Sequence, residues 1–148
     1  EGDEVAEDPI VIVPIARLDR PARQAIAFAN SISRDATALH ITNEPAEAAE
    51  LRRRWPDWAG STELVVVQSP YRALIGPLLA YLDALHEQAP DRPILVVLNE
   101  FVPRHWWEYV LHNQTALRLK LRLFARPNTI VADVPYHLGH GRPSRAAD

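Results

Sequence analysis

Three arginines stand where phosphate chemistry would need them. Arg17 follows the apolar run PIVIVPI, Arg72 closes SPYR, and Arg104 precedes His105 in PRHWWEYVLHNQTA. A guanidinium can grip a phosphate through two parallel N–H bonds. Tyr71 or Trp106 could stack a nucleobase beside it. Ser69 followed by Pro70 reads as a helix N-cap with proline at the first position. A helix start of that kind offers backbone N–H groups to an anion. The plainer reading is that Ser69 only caps and that the arginines are solvated. A compositional bias would also explain them, since Lys120 is the only lysine.

The other chemistries have weaker support. No P-loop and no GxGxxG occurs, so the usual glycine-rich phosphate cradle is missing. His105, Glu108 and His112 share a helical face at i, i+3 and i+7. Two turns of helix separate the histidines by roughly 10 Å, which strains a single metal shell. No metal site is expected. No GxSxG elbow is present, and Ser69 before Pro70 suits a cap rather than a nucleophile. Asp19, Glu100 and Asp133 are single carboxylates with no readable pairing. No enzymatic activity is expected.

These residues need elements to hold them. Pro9 to Ile15, Thr37 to Thr42, Ser61 to Ser69, Arg92 to Asn99 and Asn128 to Pro135 are apolar, β-branched runs that read as strands. The first and third read as buried strands, and the fourth is the most apolar. Helices are predicted between them. The first has helical spacing at Ala22, Ile26 and Ala29, with Pro21 in its first turn. The second runs from Pro45 to Trp55. The third starts at Ser69, and Gly76-Pro77 should kink or break it. The fourth starts near Arg104, with Trp107, Val110, Leu111, Gln114, Leu117, Leu121 and Phe124 on one face. Trp107 reads as packing and Trp106 as an edge residue suited to an interface or a ligand stack. Asn113 and Gln114 are poor mid-helix choices, and Gln114 would need buried partners.

The order β-α-β-α-β-α-β-α-β implies an α/β fold: three layers, doubly wound around a five-stranded parallel sheet with right-handed crossovers. Ligands of such sheets sit at the carboxyl ends of the strands, near the switch in strand order. That rule gathers Ala16, Arg17, Thr42, Ser69, Tyr71, Arg72, Asn99, Arg104 and His105 around one pocket. Residues 1–8 read as a linker or tail, 9–138 as the domain and 139–148 as a disordered tail.

Composition bounds the remaining possibilities. The 148 residues are one domain's worth of chain. A net charge of −3 gives no electrostatic case for a nucleic acid polymer or an anionic membrane surface. With no cysteine, disulfides, thiolate catalysis and cysteine-based zinc sites are excluded. No signal peptide and no apolar run of ~20 residues is present. A chain without methionine that opens EGDEVAED is expected to be a segment of a longer protein.

The run VIVPIARLDRPARQAIAFANSIS, with its five alternating strands, resembles the universal stress protein family. That resemblance implies a fold of the adenine-nucleotide-binding kind, usually dimeric. Many members bind ATP through Gly-x-x-Gly, nine residues, then Gly-Ser/Thr after the fourth strand. Here NEFVPRHWWEYVLHNQT fills that place without a glycine, and His112-Asn113 fall where the last pair would be. Asn113 joins the candidate ligand residues on that ground. The run EFVPRHWWEYVLHNQTALRLKLRLF, with SPYRALIGPLLAYLD and VPYHL, resembles the cytoplasmic C-terminal domain of bacterial amino acid–polyamine–organocation permeases, potassium importers of the KimA type among them. What this resemblance implies is a homodimeric regulatory domain at the cytoplasmic face of the membrane. It would be joined to the transmembrane part of the same permease and controlled by cyclic di-AMP. No cofactor would be required; ATP or AMP are lesser candidates. The alternatives are a dimerisation module that binds nothing and an ATP-binding stress protein.

Overall fold

A computed structural model describes residues 7–69, 75–99, 123 and 126–134. Five strands form one sheet: β1 (Ile10–Pro14), β2 (Thr37–Thr42), β3 (Glu63–Gln68), β4 (Ile94–Asn99) and β5 (Thr129–Val134). Their order is β3-β2-β1-β4-β5, and every neighbouring pair is parallel. Among the described residues three helices follow β1, β2 and β3 in turn: α1 (Arg20–Ile32), α2 (Pro45–Ala59) and α3 (Ile75–Gln88). The expected parallel α/β architecture is therefore present. The expected fourth helix lies outside the described residues except for Leu123, which is helical.

Strand alternation sends side chains to opposite faces of the sheet. Val11, Val13, Ala38, Leu95 and Val97 face one core, completed by Ala22, Ala25, Ile26 and Ala29 of α1 and by Leu51 and Trp55 of α2. Ile12, Leu39, Ile94 and Val96 face the other, with Leu78 and Leu82 of α3 and with Leu123. Burying each large aliphatic side chain stabilises the fold by about 1.5–3 kcal/mol. The α1 face predicted from Ala22, Ile26 and Ala29 is the one buried. Leu123 is 1% exposed although it fell outside the apolar face expected for its helix.

Local sequence explains the helix ends. Asp19 caps α1: its Oδ1 accepts from the Ala22 N–H at 2.9 Å, and proline occupies the first turn. The residue read from sequence as a lone carboxylate is thus a cap. Helix α2 continues past Trp55 and over the exposed Pro56 to Ala59, four residues beyond the expected end. Tertiary contacts offset the proline there. Trp55 is buried and its indole N–H donates to the Thr62 carbonyl at 2.6 Å. Trp58 packs 5.5 Å from Trp55, with the Arg23 guanidinium 5.3 Å from the Trp58 ring centre. Gly60, at φ 62°, then stops the helix in a conformation that suits glycine. In α3, Gly76 and Pro77 fall in the first turn as described, where proline is tolerated. The chain before Ile75, and any break there, lies outside the described residues.

Strand β3 differs from its reading. Its Leu64-Val65-Val66-Val67 run suggested burial on both faces, but β3 is an edge strand and those four residues are half-buried. Strand β5 forms the other edge, with Ile130 56% exposed.

Candidate functional site

All five strands point the same way, so their carboxyl ends meet along one edge of the sheet. The chain leaves β1 toward β2 on one side, whereas β4 lies on the other. This is the switch in strand order at which a crevice opens in doubly wound sheets. Ala16 and Arg17 leave β1 at this point, and both are exposed. Asn99 ends β4 beside them. Thr42 and Ser69 follow along the same edge, tied together by a Ser69 N–H to Thr42 carbonyl bond of 2.9 Å. Tyr71, Arg72, Arg104, His105 and Asn113 lie outside the described residues.

Arg17 carries positive charge at this edge, and the exposed Arg20 follows at the start of α1. The Arg17 side chain is 58% exposed, and its Nε stands 3.5 Å from Asp19 Oδ2. The Asp19 carboxylate already occupies the N-terminus of α1, so that helix end is not free to receive a second anion. Arg17, exposed at the end of β1, can meet one. An exposed ion pair contributes only about 0–1 kcal/mol, so exchanging Asp19 for a phosphate costs little.

Thr42 and Ser69 contribute differently. Both are buried, at 6% and 5% exposure. The Thr42 hydroxyl accepts from the Glu44 N–H at 3.1 Å and donates to Glu47 Oε2 at 2.5 Å. Glu44 precedes α2 but makes no side-chain cap bond, so Thr42 and Glu47 together fasten the start of that helix. This pair is not among the residues expected from the sequence. A threonine followed by a glutamate in the first turn of a helix was the available signal.

Nor is His40 among those residues. His40 lies in β2 and is 3% exposed. Its Nδ1 is 2.9 Å from the Ile15 carbonyl at the end of β1. Its Nε2 lies 3.9 Å from Glu47 Oε1 and has no hydrogen-bond partner among the described residues. The signal was a polar residue inside TALHIT, a strand otherwise filled by apolar residues and threonine.

Among the described residues no group of three or more His, Cys, Asp or Glu side chains is placed to hold a metal. Also among them, no helix is long and apolar enough to cross a membrane. What the described residues define is a doubly wound parallel α/β domain with an arginine at its topological switch. Residues 6–136 match the family model for the KimA potassium transporter C-terminal domain, and the chain belongs to that family. Potassium transporter KimA of Bacillus subtilis (strain 168) is 30% identical over 139 residues, 93% of this chain and 23% of that protein. The chain therefore spans less than a quarter of the length of this curated relative.

Proposed function

We propose that this chain is the cytoplasmic regulatory domain of a membrane permease and that it binds cyclic di-AMP. The observation that carries the reading is the exposed Arg17 at the carboxyl end of β1, where the strand order switches. A cyclic dinucleotide presents two phosphates and two adenines related by two-fold symmetry. It suits a homodimer in which one patch repeats across the axis. Arg17 supplies a phosphate contact in each half. Arg72, Arg104 and His105 are proposed as further anion contacts, and Tyr71 as an adenine stack. The relative's name supports potassium as the transported ion; amino acids are the alternative. Binding regulates transport if the ligand prefers one transporter state over another.

A second reading is a dimerisation module that binds no nucleotide. Ile130, exposed on the edge strand β5, favours it, because an open strand edge with an apolar residue invites pairing. Calorimetry of the chain with cyclic di-AMP, ATP and AMP separates the readings. Saturable heat with cyclic di-AMP at one ligand per dimer is expected. A dimer by light scattering that gives no heat with any nucleotide would leave the dimerisation reading. ATP binding alone would favour a stress-protein role.

A further inference from the structure

We propose that His40 is the positioning residue that fixes the β1–α1 turn and thereby aims Arg17. The inference rests on the ligand reading of this edge for its consequence, but not for its geometry. Strand β1 ends its pairing with β2 through an Ile15 N–H to Leu39 carbonyl bond of 2.9 Å. The next polar group of β1 is the Ile15 carbonyl, and it bonds to the His40 side chain at 2.9 Å. A carbonyl only accepts, so Nδ1 carries the hydrogen. The imidazole thus ties down the last backbone group before the chain turns away through Ala16 and Arg17.

The far side of the ring faces the start of α2. Nε2 faces Glu47 Oε1 at 3.9 Å, too long for a hydrogen bond. Glu47 is fixed in turn by the Thr42 hydroxyl. His40 therefore stands between the end of β1, which it bonds, and the first turn of α2, which it faces without a bond. Its placement is costly, because a buried nitrogen with no partner among the described residues is destabilising. A leucine would suit the apolar strand better and would leave no orphan nitrogen. Only a side chain with a donor two bonds beyond Cβ holds the Ile15 carbonyl at this spot. An asparagine amide meets that requirement. A glutamine amide lies one bond too far.

The geometry gives a rescue experiment. His40→Leu, His40→Gln and His40→Asn would be prepared in the 148-residue chain. Two quantities would be read: backbone NMR order parameters of Ala16 to Leu18 without ligand, and calorimetric affinity for cyclic di-AMP. In the wild type the turn should be rigid, near about 0.85, and in His40→Gln and His40→Leu it should fall below about 0.6. Affinity should drop by about fivefold or more in those two variants. His40→Asn should restore both. Should His40→Leu not fold, the Gln and Asn pair decides by itself. Equal damage by Gln and Asn, or a rigid turn in Gln, would overturn the role of His40. If wild type binds no cyclic di-AMP, the ligand reading fails, and the order parameters still decide whether His40 holds the turn.

Discussion

The two faces of the sheet are built from different chemistry. The α3 face is aliphatic: Ile12, Leu39, Leu78, Leu82, Ile94, Val96 and Leu123 form its buried cluster. The α1–α2 face mixes Val11, Val13, Ile15, Ile26, Leu51, Leu95 and Val97 with five alanines and Trp55, and it carries polar groups at its margins. There Thr62 receives the Trp55 indole N–H on its carbonyl and the Asn30 amide on its hydroxyl. His40, Thr42 and Glu47 link the ends of β1 and β2 to α2. Non-directional packing stabilises without specifying angles. Hydrogen bonds contribute less energy and fix orientation. The aliphatic face thus supplies bulk stability, and the other face sets where the carboxyl edge points.

Graded substitutions sharpen that contrast. Leu82→Ala should have the largest effect, lowering unfolding free energy by about 2–5 kcal/mol in a denaturant titration, because Leu82 is fully buried. Its effect on the order parameters of Ala16 to Leu18 should be negligible. Trp55→Phe comes next. It leaves the buried Thr62 carbonyl without its donor, at a cost of about 1–3 kcal/mol. Asp19→Ala removes the α1 cap and should cost about 0.5–2 kcal/mol by the same titration. It also frees Arg17 from its pair, so anion affinity should rise while stability falls.

The smallest effect concerns alkaline pH on the aliphatic side. Burial first, and the negative charge of Glu63 second, raise the Tyr81 phenol above its ordinary value of 10.0. The folded state then favours the neutral phenol. Its contribution is complete below pH 10.0 and is lost as pH rises through the raised value. Tyr81→Phe should make the fall of stability above pH 10.0 shallower, as followed by urea midpoints across that range. An unchanged slope would contradict the assignment.

Much of the fold was legible because buried parallel strands are written as apolar, β-branched runs. IVIVP and TALHIT announce β1 and β2, and alternation with helical segments implies one sheet with one carboxyl edge. Ala16, Arg17, Thr42, Ser69 and Asn99 all lie on that edge. Strand order was less legible. LVVV of β3 is as apolar as the interior of β1, yet β3 is an edge strand, because helix packing rather than composition decides neighbours. The end of α2 was hidden for a related reason. Pro56 signals a stop, yet the helix runs past it to Ala59, with Trp55 bonded to the Thr62 carbonyl and Trp58 under the Arg23 guanidinium. His40 escaped notice because its partner carbonyl lies 25 residues away, and periodicity carries no record of a side chain reaching across strands.

The central claim is that the carboxyl edge at the switch between β1 and β4 receives a cyclic dinucleotide. Backbone NMR shift mapping of the chain during a cyclic di-AMP titration tests it most directly. The account predicts saturable shifts at Ala16, Arg17, Ser69 and Asn99, with Ile15 and Leu18 following. Arg92, Ile94 and Asn128, at the amino-terminal edge, should stay still. Shifts confined to the amino-terminal edge, or none at ligand excess, would contradict it.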